Sequence, residues 1–129
     1  MKYDYNNLIL WSNIFFLMPI FFAFEFTLYW YVLVLGLSLV LSILYHGSRE
    51  TRFQKPDIFF AWLLMACNLV ILLLGGLSPF LPALGCLITA ALAIYVFTHQ
   101  TKENYKIYHS LYHLLAAGIR LLALIVYIR

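Results

Sequence analysis

The chain has 129 residues, 65% of them hydrophobic and 10% charged, with a formal net charge of +3. Soluble domains carry about 25% charged residues, so this composition excludes an ordinary water-soluble globule. The positive balance is not matched by any basic patch with interleaved aromatics, so nucleic acid is not an expected partner.

Five apolar segments follow one another with short polar breaks, each close to the roughly 20 residues that cross a hydrocarbon core. They predict helices at about Asn7–Phe24, Leu28–Tyr45, Asp57–Gly75, Pro79–Thr98 and Ile107–Ile128. A soluble bundle would need partners to cover five helices that are apolar all round, and this chain has none to spare. The expected architecture is therefore an all-α integral membrane protein, a bundle of about five transmembrane helices forming one domain over residues 1–129.

The first segment is a poor signal peptide. Its basic flank is only Lys2, and Ala23 stands between Phe22 and Phe24 rather than in a small-residue cleavage site. The second is expected to stop at Gly47 in a left-handed cap. The third opens on Lys55-Pro56-Asp57, with proline at the first helical position, where its missing N–H does no harm. Gly75-Gly76, Pro79 and Pro82 bracket the turn into the fourth. Cys67 and Cys86 fall inside the third and fourth segments and read as small packing residues.

Alternating crossings put the N-terminus and the breaks at residues 46–56 and 98–106 on one side. That side carries Lys2, Arg49, Arg52, Lys55, Lys102 and Lys106, against Arg129 on the other. The bias predicts a cytoplasmic N-terminus and an external C-terminus. Tyr3, Tyr5, Trp30, Tyr105 and Tyr108 lie near segment ends and read as interfacial anchors.

Against this hydrocarbon background one polar set stands out. His46 closes the second segment, Asp57 opens the third, and His109 and His113 occupy the first turns of the fifth. All four are expected near the cytoplasmic face. Ser42 lies one turn before His46, about 6 Å deeper at 1.5 Å per residue. Two imidazoles at i and i+4 project side by side and can grip one metal ion. His46 supplies the third protein ligand of a catalytic zinc, whose fourth position stays open for a water that ionises near pH 7 and attacks a carbonyl. No glutamate follows His109, so the zincin arrangement is ruled out and the base must come from elsewhere. Asp57 is the carboxylate at the right depth, and Ser42 can support the oxyanion. Taken singly, each residue has an ordinary explanation as a polar belt residue, a helix-start charge or a packed hydroxyl. The agreement in depth of all five is what favours a site, because such groups are costly inside a membrane.

Ser42-Ile-Leu-Tyr-His46, then Asp57 eleven residues on, then His109-Ser-Leu-Tyr-His113 resembles the CREST superfamily of membrane hydrolases. The short His-to-Asp connection, and Ser12-Asn13 followed by Pro19, look most like its alkaline ceramidase branch, with the Myomaker-like branch second. The resemblance implies zinc on His46, His109 and His113, with Asp57 and Ser42 beside it. It also implies a zinc-dependent hydrolase cleaving a lipid amide or ester, with a ceramide-like lipid or a phospholipid as substrate. The alternative is a receptor-like or structural membrane protein with a non-catalytic zinc. Members of that superfamily usually have seven spans, whereas five are expected here, which shortens the wall of any lipid pocket and makes a homodimer plausible. The acidic calcium site of ceramidases is matched only by Asp4, Asn6 and Asn7, so calcium is not carried over.

Three further polar residues have structural readings. Arg120, seven residues after His113, is expected to pair with Glu25 or to snorkel outward, ahead of contact with a lipid headgroup or substrate carboxylate. His99 is expected to be a helix-end cap. Asn68 is expected to bond a neighbouring helix.

Overall fold

A computed structural model describes residues 7–128 of the chain. Lys2, Tyr3, Asp4, Tyr5, Asn6 and Arg129 lie outside the described residues. The described residues form five helices long and apolar enough to cross a membrane: α1 (Leu8–Glu25), α2 (Tyr29–Ser48), α3 (Thr51–Leu74), α4 (Phe80–Thr98) and α5 (Tyr105–Ile128). At 1.5 Å per residue their 18 to 24 residues span about 27 to 36 Å, the thickness of a hydrocarbon core. Trp11, Trp62, Phe80 and Leu81 are each more than 60% exposed on the outside of the bundle, which suits a lipid surround and not water.

Helix α1 is not uniform. Leu8–Ser12 and Leu17–Glu25 are α-helical, but Asn13–Phe16 is wound as a tighter 3₁₀ turn. Polar side chains compete for the backbone carbonyls here. Ser12 Oγ donates to Ile9 O at 2.7 Å, and Asn13 Nδ2 donates to Ile9 O and Leu10 O, each at 3.2 Å. Pro19, just downstream, has no N–H to offer the preceding turn. Both effects loosen the regular ladder, and local 3₁₀ winding re-satisfies it.

Two boundaries differ from the sequence expectation. Helix α2 does not stop at Gly47, which is buried and helical; the left-handed residue is Arg49, with φ 57°. Ser48 explains the extension, since its hydroxyl donates back to Leu44 O and accepts the Glu50 N–H, carrying the helix past the glycine. Only Arg49 and Glu50 then separate α2 from the 3₁₀ turn Thr51–Phe53 that opens α3. The α-helical part of α3 begins at Gln54, so Pro56 is its third residue rather than its first. Its missing N–H still falls in the first turn, where no intrahelical partner exists.

Helix α5 is the axis of the bundle. It packs on α1, α3 and α4, and its most extensive contact is with α4. Its inward stripe runs His113, Ala116, Ala117, Arg120, Ala123 and Leu124, at the three-and-four spacing of one helical face. Small residues line the facing side of α4, at Ala83, Cys86 and Ala93, and they let the two backbones approach closely. Asn68 meets its expectation, accepting a hydrogen bond from Tyr31 across the α2–α3 contact. His99 caps α4, its ring nitrogen 2.8 Å from Tyr95 O.

The two ends of the bundle can be told apart. Asn7 Nδ2 donates to His46 O at 2.9 Å, so the start of α1 sits beside the end of α2. At the opposite end the α3–α4 turn packs beneath the last turns of α5. A Cβ added to Gly75 would lie 2.7 Å from Val126 O and 2.8 Å from Val126 Cγ1. Backbone cannot yield as a flexible side chain does, so Gly75→Ala is expected to lower stability by about 1–3 kcal/mol through overpacking. Gly36→Ala has nothing within 4 Å of the added carbon and serves as the control. Thermal unfolding of the two purified variants in the same detergent checks this, and only the Gly75 variant should melt early.

Candidate metal centre

Three connections bring the polar set together. The two-residue break between α2 and α3 holds His46 next to Asp57, with Nε2 and Oδ2 3.8 Å apart. The i and i+4 spacing on α5 stacks His109 over His113, with ring centroids 4.9 Å apart. Their rings in turn meet that of His46, at 4.7 Å from His109 and 5.6 Å from His113. One ring nitrogen from each histidine lies within 4.8 Å of the other two. The sequence expectation that His46, His109 and His113 converge is matched by this geometry, and Asp57 stands against the cluster with its side chain 16% exposed.

The donor set suits a divalent transition metal. Imidazole nitrogens bind zinc at about 2.0–2.1 Å in a tetrahedral site, so two of them on one ion lie about 3.4 Å apart. Nitrogens spread over up to 4.8 Å would each have to move inward by up to about 1 Å, which side-chain rotations can supply. His46 Nε2 is buried and has no hydrogen-bond partner, as expected of a nitrogen held ready for an ion.

Two residues that the sequence reading did not assign to the site orient these ligands. Ser12 Oγ lies 2.7 Å from His113 Nδ1. Because the Ser12 hydroxyl gives its proton to Ile9 O, it can only accept from the imidazole. His113 therefore carries its proton on Nδ1 and presents the Nε2 lone pair inward. Gln100, in the loop before α5, offers Oε1 to His109 Nδ1 at 3.4 Å and favours the same tautomer there. Such partners fix ring orientation and raise ligand basicity. Ser12 stands out in the sequence only through the Ser12-Asn13 and Pro19 resemblance, and nothing in its local spacing ties it to a histidine 101 positions away.

Ser42 is buried, one turn below His46, and its hydroxyl has no hydrogen-bond partner. This sets it apart from Ser48, Thr89, Thr98 and Ser110, whose hydroxyls all bond to a carbonyl four residues back. A hydroxyl that spurns its own backbone is free to serve a bound group.

Arg120 departs from its expectation. It neither pairs with Glu25, which is exposed, nor snorkels outward. It is only 5% exposed and lies flat over Phe16, its guanidinium carbon 4.0 Å from the ring centroid. The reason is its register: Arg120 shares the inward stripe of α5 with His113, and the same Phe16 ring packs edge-on to His113 at 5.4 Å. The cation–π contact partly replaces a counter-ion.

Comparison with protein-family models, with curated proteins and with solved structures finds no match to this chain.

Loss of an orienting partner typically weakens metal binding 10–100-fold. Ser12→Ala is expected to do so while the protein keeps its helical content. Competition against a chromogenic chelator measures the affinity, and circular dichroism of the same samples measures the fold.

Proposed function

We propose that the chain is a zinc-dependent, multi-pass membrane hydrolase of ceramidase-like type, cleaving a lipid amide or ester. The observation that carries this reading is the triad of buried His46 and His113 with half-buried His109, and one carboxylate, Asp57, 3.8 Å from His46. Its motif spacing resembles the CREST superfamily. In this reading the N-terminus and the site lie at the cytoplasmic face and the C-terminus outside. Arg49, Arg52, Lys55, Lys102 and Lys106 all belong to the triad's end of the bundle, which supports that orientation.

Zinc on three imidazoles supplies a Lewis acid and an acidified water. The chain's own residues do the rest. Ser12 and Gln100 hold the His113 and His109 rings in the ligating tautomer. Asp57, 3.8 Å from His46, would take the proton of the attacking water and hand it to the departing amine or alcohol. Ser42 donates its uncommitted hydroxyl to the carbonyl oxygen as charge gathers there. The apolar helices around buried Ser42 and His113 lower the local dielectric, which strengthens contacts made there.

A second reading has one observation in its favour. The backbones of α2 and α5 make little direct contact, so an ion shared by His46 and the α5 histidines would tie them together. A structural or receptor-like protein would keep zinc for that purpose alone.

The two readings part at Asp57. If it acts as a base, Asp57→Asn should lower turnover by about 10²–10⁴-fold and leave zinc content and melting temperature nearly unchanged. If it merely supports a structural ion, the variant should lose metal. Metal analysis of wild type and His113→Ala, together with fatty-acid release from a panel of lipid amides and esters, provides the measurement. Wild-type protein purified without stoichiometric metal would defeat both readings.

Acid should also lower turnover, because the water on the metal would have to ionise, at a typical pKa of about 7, and ligation needs neutral imidazoles. Hydrolysis is expected to fall below that pH and to level off at neutral to alkaline values. A rate maximum near about pH 4.5, in the carboxylate range, would point to a metal-free carboxylate mechanism instead.

A further inference from the structure

The seam between α1 and α2 holds two cavities, one beyond the other along the helix axes. The outer one, of about 320 Å³, opens beside His46 and is walled by Asn7, Tyr45, Arg49, Thr51, Tyr105 and Lys106. The inner one, of about 300 Å³, is a lateral groove walled by Leu10, Trp11, Asn13, Ile14, Leu17, Leu39 and Ile43. Their walls continue each other. Asn7, Leu10, Ile14 and Leu17 follow one another at three- and four-residue steps on α1, as do Leu39, Ile43 and His46 on α2. A chamber with cations thus stands in line with an apolar groove along the same helix faces, with His46 on the chamber wall.

Two features say what fits. The first is charge. Arg49 and Lys106 both line the outer chamber. Of the carboxylates at this end of the bundle, Glu50 is paired with Arg52 and Asp57 faces His46 at 3.8 Å. The second is an orphaned acceptor. Asn13 is 2% exposed, and its Nδ2 donates to two carbonyls, Ile9 O and Leu10 O. That pairing fixes the amide, since exchanging its oxygen and nitrogen would set oxygen against two carbonyl oxygens. Asn13 lines the groove, and its Oδ1 is left buried with no donor. An unmatched acceptor in an apolar site is costly, and a ligand N–H or O–H at that position would remove the cost.

We infer that the α1–α2 seam binds a single-chain lipid with a phosphate headgroup and a hydrogen-bond donor beside its acyl linkage. The phosphate sits in the outer chamber on Lys106 and Arg49, the donor meets Asn13 Oδ1, and the acyl chain follows Leu10 to Leu17 outward. The inference rests on the hydrolase reading, whose substrate class it names, but the lipid is recognised by residues outside the triad. The donor can be a hydroxyl, as in a monoacyl glycerophosphate, or an amide N–H, as in an N-acyl phospho-amino-alcohol.

Trp11 lines the groove and reports on it. The full chain, with Trp30→Phe and Trp62→Phe, is titrated in detergent with lipids whose single acyl chain is brominated. Quenching of Trp11 by a monoacyl glycerophosphate is expected at concentrations about tenfold lower than by the matching phosphocholine or the uncharged monoacylglycerol. Lys106→Glu should abolish that preference. Methylating the lipid hydroxyl should weaken binding about fivefold or more by leaving Asn13 unmatched, and an N-acyl phosphate with its N–H should bind as the hydroxyl lipid does. Inorganic phosphate alone should not displace either lipid. Equal quenching by all headgroups, or an unchanged preference in Lys106→Glu, overturns the inference. The metal content of the same samples separates the two proposals. Stoichiometric metal without headgroup preference defeats the lipid assignment alone, whereas preference without metal supports it and defeats the hydrolase reading.

Discussion

An apolar bundle has no water to offer its polar groups, so each one must be answered by another part of the chain or by something bound. Ser12 shows how much depends on this. Its single proton goes to Ile9 O, so its lone pairs turn to His113, and the tautomer of a histidine on another helix is decided by a backbone carbonyl on α1. Remove the carbonyl's demand and the serine could rotate, and the imidazole would lose its fixed proton. Among the described residues few buried polar groups are left unanswered, His46 Nε2, Ser42 Oγ and Asn13 Oδ1 among them, beside Gln100 Nε2 and two nitrogens of Arg120. In a structure where burial without a partner is expensive, each such atom calls for an explanation.

The same economy shapes the packing. Helix α5 carries the site at one end and a run of alanines beyond it, so it comes close to α4 without large side chains intervening. Arg120 is the exception on that face. It is accommodated because Phe16 covers it, and Phe16 reaches that position while also packing on His113. One ring on α1 thus touches both a metal-ligand candidate and the deepest cation of the bundle. Substitutions at Phe16 would disturb both.

Much of this architecture is legible in the residue pattern, because hydrocarbon thickness forces long apolar runs and punishes charges within them. The five helices fall within a few residues of their expected limits, and the His46, His109 and His113 convergence follows from depth and i, i+4 spacing alone. What escapes is whatever depends on rotation about helix axes. The Ser12–His113 bond links helices far apart in sequence, and the direction in which α1 faces is set by its 3₁₀ turn, which no periodicity announces. Arg120 departs from its expectation although the seven-residue step from His113 already sets it on the same helix face; what the pattern does not show is that Phe16 of α1 covers its guanidinium. The ends of α2 and α3 moved because Ser48 supplied side-chain bonds that outweighed the preference of Gly47 for a cap.

The tight turn in α1 also has a mechanical meaning. Four residues at three per turn wind about 80° further than four at 3.6 per turn, and advance about 2 Å more along the axis. Asn13–Phe16 therefore acts as a phase shifter between the two halves of the helix. The outer half aims Ser12 at α5 and Asn7 at α2, while the inner half is free to seat Pro19 and Ala23 in the core. Motion that relaxed the turn toward a regular α-helix would rotate one half against the other like a screw, and would change the seam with α2 and the support of His113 in a single movement.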